Sequence, residues 1–282
     1  MQLRRARGGS SAWPACAVVA LVAILFCAGS AVSAQRGGFR REFRKATAES
    51  FDGAFQFCRV AYRGNRGGRG SGWSTDYPNA DLNLSTRLGE LTKTPISIDK
   101  RTGGPNHVIV QLTDPLMFRC PFLMMAEVGT LYFNELDAAN LRAYLMKGGF
   151  LWVDDFWGQF AWENWESEIR KVLPSGRYPI KDLSLDHTIF HQVYTVSKIP
   201  QIPSINYWLG SGGDTSERGA DSRPPHIRGI TDDRGRLMVL MTHNTDFGDS
   251  WEREGDDPNY FYNFSVDGYA FGINVLLYAL SH

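Results

Sequence analysis

Apolar and polar positions change period along the chain, and each change marks an element. Phe55–Tyr62 (FQFCRVAY) alternates in strand fashion, with Phe55, Phe57 and Val60 facing inward. Leu82, Leu84, Leu88 and Leu91 then line one face of a helix that Asp76, Pro78 and Asn79 open and that runs to Thr92. His107–Thr113 (HVIVQLT) and Pro121–Ala126 (PFLMMA) are apolar runs of strand length. From Asn134 or Glu135 to Lys147, residues Leu136, Leu141, Tyr144 and Leu145 return at helical spacing until Gly148-Gly149 stops them. Phe150–Val153 is apolar on both faces, as expected of a strand covered on two sides. The same reading predicts a helix over Phe160–Leu173, strands at Gln192–Val196, His226–Thr231 and Leu237–Thr242, and a buried closing helix over Gly268–Leu280.

Strands alternating with helices predict an α/β fold, a three-layer sandwich with a mostly parallel sheet. Two stretches read as loops by their glycine, serine, proline and arginine content: Arg63–Gly72, and Gly210–Pro225, which is too polar to pack.

The N-terminus changes the picture. Arg4, Arg5 and Arg7 precede an unbroken apolar run, Ala15–Ala28, and Val32-Ser33-Ala34 supplies small side chains for cleavage. That is the three-zone pattern of a secretory signal, and the run is short for a membrane span. The expected organisation is a signal peptide over 1–34, a polar leader over 35–52 and a single α/β domain over 53–282, in an exported protein of the periplasm or the extracellular space. Removing the three signal arginines from 30 basic side chains leaves 27 against 30 acidic ones. A slightly acidic chain argues against nucleic acid as partner and limits membrane contact to the signal segment during export. Cys58 and Cys120 remain after cleavage; they could form a disulfide or stay as two buried thiols. With no CxxC pair, a cysteine zinc site is excluded.

In a wound α/β sheet, ligands bind beyond the carboxyl ends of the strands, and here those ends are acidic. Asp114 follows HVIVQLT, Glu127 follows PFLMMA, Asp154-Asp155 follow FLWV, and Asn244 and Asp246 follow LMVLMT, with Asp249 and Trp251 beyond. Trp157 and other aromatics stand beside them. The candidate binding set is Asp114, Asp155, Trp157, Asn244, Asp246 and Trp251, and the candidate catalytic set is Asp154, Asp155 and Glu127. Carboxylates next to aromatic planes suit a polar, glycan-like ligand or an envelope partner protein. They also suit a hard cation, so Ca²⁺ or Mg²⁺ is compatible although no cofactor is predicted. The expectation is therefore a non-catalytic binding module. The alternatives are a carboxylate- or metal-dependent hydrolase using Asp154 and Asp155, and a scaffold in which the paired aspartates only cap a helix. Asp186-His187 reads as a local structural pair. There is no GxSxG elbow.

A run of motifs covers nearly the whole chain after the leader: FQFCRVAY, W-x-x-D-x-P-x-A-D (Trp73–Asp81), L-x-D-P, P-F-L, L-R-x-Y-L-x-x-G-G-F-L-x-x-D-D, L-D-H-x-I-F, N-x-D-x-x-x-x-W (Asn244–Trp251) and G-I-N-V-L-L-Y-A-L. In this order they resemble the bacterial family of unknown function 4159. The resemblance implies a flavodoxin-like fold distantly related to class I glutamine amidotransferases and to trehalose-utilisation domains. In such amidotransferases a helix, a glycine pair and an apolar strand lead into the turn that presents the catalytic cysteine. Here Asp154-Asp155 occupy that turn, so the resemblance implies the architecture and argues against glutaminase chemistry, which needs a thiol.

Overall fold

In the computed structural model, which describes residues 43–64 and 72–282, the apolar runs assemble into one seven-stranded sheet. The strands along the chain are β1 (Phe57–Val60), β2 (Arg63–Gly64), β3 (His107–Val110), β4 (Leu123–Ala126), β5 (Leu131–Tyr132), β6 (Leu151–Phe156), β7 (Lys181–Asp182), β8 (His226–Thr231) and β9 (Leu237–His243). The main sheet has the order β3-β1-β4-β6-β9-β8-β7, while β2 and β5 pair separately. From β3 to β9 every pairing is parallel, and the five strands follow the 2-1-3-4-5 order of flavodoxin-like sheets. β8 and β7 extend the sheet antiparallel. The reason is local: β8 and β9 are joined by a turn over 232–236, with Gly235 at φ 83°, which is too short for the crossover that a parallel neighbour needs.

The helices are α1 (Asn79–Leu91), α2 (Glu135–Met146), α3 (Gly158–Val172), α4 (Ile205–Gly210), α5 (Phe247–Glu252), α6 (Pro258–Tyr260) and α7 (Val266–Ser281). Leu141 and Tyr144 of α2 and Trp165 and Ile169 of α3 close one core over Cys58, Val60, Leu151 and Val153. Leu84 and Leu88 of α1, Trp251 of α5 and Phe271 and Leu276 of α7 close the other over Phe57, Trp152 and Leu240. Successive residues of β6 thus enter opposite cores, which is why Leu151–Val153 is apolar without interruption; Phe57 and Cys58 of β1 divide the same way, and Arg59 beside them is buried against Asp81. This is the three-layer sandwich that the pattern predicts. Among the described residues, no helix is long and apolar enough to cross a membrane.

Several expectations need correcting. Gln192–Val196 is not a strand: Asn274 of α7 accepts from the backbone N–H groups of Val193 and Tyr194 and donates to the Tyr194 carbonyl, taking the bonds a neighbouring strand would have made. The domain begins before residue 53, because Arg44–Ala46 already pair with Ile109 on the outer edge of β3. Cys58 and Cys120 are joined as a disulfide with Cα atoms 6.0 Å apart, as β1 and the approach to β4 lie side by side. The 210–225 segment does pack, with Ser216 and Ser222 buried and bonded to each other. The signal segment and positions 65–71 of the arginine-glycine loop lie outside the described residues.

Candidate functional site

The pair Asp154-Asp155 stands where β6 changes its step. Val153 is opposite Met241 and Phe156 opposite His243, so two residues of β6 face the single Thr242 of β9. Such a bulge re-aims side chains at a strand end, and Asp155 takes the left-handed conformation it requires, at φ 57°. The two acids consequently do different things.

Asp154 points into the core beneath α5. Its carboxylate accepts from the Thr242 hydroxyl and, at 3.0 Å, from the Gly248 N–H. It is fully buried, and burial raises its pKa to about 7, against the lowering effect of those two bonds. With both oxygens engaged and no surface exposed, Asp154 ties β6, β9 and α5 together and does not reach a ligand. It meets a helix start, as the capping alternative expected, although the helix is α5 and not the one that follows in sequence.

Asp155 turns toward a cavity of about 400 Å³ lined by Glu127, Thr130, Trp157, Phe160, Glu217, Arg218 and Asp221 among others. One of its oxygens accepts from the Trp157 indole at 2.9 Å. Behind it, one oxygen each of Asp155, Asp76 and Asp246 lie within 4.8 Å of one another. Burial is the first cause that pushes the Asp155 carboxyl well above the carboxylate range, and Asp76 and Glu127 add to it. Asp246 is raised by burial and then by Asp155 and Asp76; Asp76 is raised by burial and by Asp249, with Arg59 opposing. Like charges crowded in low dielectric disfavour ionisation.

Asp76 arrives from the turn that precedes α1. The buried Arg59 of β1 pairs with Asp81 of α1 and donates to the carbonyls of Trp73 and Thr75, at 3.2 and 2.9 Å, which holds the turn that presents Asp76. Gly248 leaves room for it: a Cβ there would stand 2.2 Å from Asp76 Oδ2. Glu127, directly after β4, accepts from the Gly72 N–H, and burial raises its pKa. Asp76 (φ 59°), Glu127 (φ 50°), Asp155 and Asn244 (φ 61°) are the non-glycine residues with left-handed backbone among those described. All four stand at this end of the sheet, and strained backbone of this kind gathers at functional sites.

The remaining candidates fall elsewhere. Asp114 caps the short turn after β3 by accepting from Leu116 N–H, at the sheet edge. Trp251 is wholly buried among Trp152, Phe247 and Gly272 and belongs to the core. Asn244 is occupied with backbone, accepting from Gly158 N–H and donating to the Pro224 carbonyl, so it shapes the turn into α3. Asp246 caps α5 through Asp249 N–H and also joins the acid cluster. His243 bonds the Gly158 carbonyl and packs at a tilt against Phe156. His187 accepts from Ile189 N–H and is structural. Asp76, Glu217, Arg218 and Asp221 were not singled out as site residues by sequence. Asp76 carries the signal of a helix start, and the others sit in a segment whose composition reads only as loop.

The fold and site together define a flavodoxin-like α/β protein with a carboxylate-lined pocket at the carboxyl ends of its central strands. An aspartate, not a cysteine, stands where β6 turns into α3, and both cysteines of the described residues are bonded to each other. The chain belongs to the family described as Domain of unknown function (DUF4159), whose model matches residues 56–280. No curated protein matches the chain.

Proposed function

We propose that the protein is an exported binding module that takes a polar, hydroxyl-bearing ligand of the glycan class into the pocket beside Asp155. One observation carries this reading. The pocket's four carboxylates are each fixed through a protein N–H: Glu127 by Gly72, Asp155 by the Trp157 indole, Glu217 by Ser204 and Asp221 by Gln159. Oriented acceptors of this kind suit hydroxyl donors. Phe160, 76% exposed on the same wall, offers a ring to the apolar face of a sugar. The Cys58–Cys120 bridge supports export, since disulfides persist in oxidising compartments. A screen of neutral and amino-containing glycans should return ligands that Phe160→Ala and Glu127→Gln each weaken by about tenfold or more, roughly one lost contact. Trp251→Phe should bind like the wild type. Binding indifferent to both pocket substitutions sinks the proposal.

A second reading, a carboxylate-dependent hydrolase, is favoured by the approach of Asp76 and Asp246 to Asp155. It requires turnover of chromogenic glycosides or esters that Asp155→Asn abolishes without lowering the melting temperature.

A further inference from the structure

Three carboxylates meet behind the pocket, and among the described residues one of their oxygens has nothing to bond. Asp76 is 6% exposed, and its Oδ2 is buried without a hydrogen-bond partner among the described residues. A buried acceptor in that state costs free energy unless something supplies positive charge or a donor. Arg59, the nearest buried cation, is already committed to Asp81 and to two backbone carbonyls. Asp76 lies in the set formed with Asp155 and Asp246. It also belongs to a second set with Asp249 and Glu252. That second set is largely satisfied: Asp249 Oδ2 accepts from Ile205 N–H and from the Tyr260 hydroxyl, and Glu252 pairs with Arg253 at 3.0 Å.

We propose that Asp76, Asp155 and Asp246 bind a hard divalent cation, Ca²⁺ in preference to Mg²⁺. Oxygens within 4.8 Å of one another can share one Ca²⁺, whose adaptable coordination at about 2.3–2.6 Å accepts an irregular set, whereas Mg²⁺ demands near-octahedral geometry at about 2.0–2.1 Å. Gly248 leaves room for the cluster, because a Cβ there would press on Asp76 Oδ2 and stand 3.4 Å from Asp246 Oδ1. Three carboxylates leave coordination positions for water or for ligand hydroxyls. Asp155, which belongs to both the cluster and the pocket lining, is where the cation would meet the ligand. The inference deepens the proposed binding function and is tested with the metal alone, so its failure leaves glycan binding to be judged separately.

The experiment is a thermal melt of the EDTA-treated protein with CaCl₂, MgCl₂, or NaCl at matched ionic strength. Ca²⁺ in roughly hundredfold excess over its dissociation constant should raise the midpoint by about 5 °C or more, and NaCl should not. Asp76→Asn and Asp246→Asn, the latter still able to cap α5, should lose the Ca²⁺ response. Tb³⁺ gives an independent reading in the wild-type chain: with the Trp157 indole 2.9 Å from Asp155, excitation of tryptophan should sensitise Tb³⁺ emission that Ca²⁺ displaces. The proposal is overturned if neither divalent ion moves the midpoint, as when a shared proton neutralises the cluster. It is also overturned if both variants respond like the wild type. Should the variants fail to fold, Tb³⁺ emission that Ca²⁺ does not displace overturns it.

Discussion

Asp154 and Asp155 show how much two neighbouring residues of one type can differ. The bulge sends the first into the core, where Thr242 and Gly248 hold both its oxygens, and turns the second to the pocket. Their sequence signal was legible, because a strand apolar on both faces has no place for paired acids. Glu127 and Asp246 were legible for the same reason, each following an apolar run. Asp76 was not, since W-x-x-D-x-P reads locally as a helix start. His243 carries a testable pH dependence. Burial lowers its pKa to about 4, with Arg228 and His226 contributing and the Gly158 carbonyl opposing. Between that value and the unfolded pKa of about 6.5, the unfolded chain binds the extra proton, so stability falls as pH drops through this window and is fully retained above it. The loss amounts to roughly 3 kcal/mol. In His243→Gln, urea midpoints measured from neutral to acid pH should decline less steeply than in the wild type.

At the scale of elements, α7 illustrates why composition alone misjudges a helix. Gly268 and Gly272 lie one turn apart, and glycine inside an exposed helix costs about 1 kcal/mol relative to alanine. Here they let α7 approach α5 and α1 closely. A Cβ at Gly272 would stand 2.8 Å from the Trp251 ring and 3.0 Å from Leu84, and one at Gly268 would stand 2.1 Å from Ser250 Oγ. Packing therefore reverses the propensity argument. Gly272→Ala should destabilise the protein by about 1–3 kcal/mol through overpacking, read as a lower denaturation midpoint; a gain in stability would show that the helices part freely. The elements misjudged from sequence share one cause. Gln192–Val196 has strand-like residues but takes its hydrogen bonds from one side chain, Asn274. The 210–225 segment has loop composition, yet Glu217, Arg218 and Asp221 form a wall of the pocket.

For the whole molecule, the Cys58–Cys120 bridge closes a loop of 62 residues that spans β1, α1 and β3. Its main effect is to restrict the unfolded chain, and loops of this length correspond to about 2–5 kcal/mol. Replacing both cysteines with alanine should lower stability by that amount while leaving the pocket intact. Denaturation of the oxidised protein with and without reductant should show the same difference, and equal midpoints would contradict it. The pocket itself is a whole-molecule feature. Segments near 127, 155 and 217 build it, those near 76 and 246 reach Asp155 from behind, and they meet because the parallel strands β1, β4, β6 and β9 place their carboxyl ends on one side.

The sequence by itself determined the layered α/β architecture, the parallel core of the sheet and the acidic character of its carboxyl-end rim. Hydrophobic period and strand-end composition are local properties, and a single chain segment carries each of them. Tertiary structure decided the rest: that the cysteines join, that β8 turns back on β9, that Trp251 is core, and that Asp76 completes a cluster with Asp155 and Asp246. Those outcomes depend on distances between segments far apart in sequence, set by strand order and by what glycines such as Gly248 leave room for.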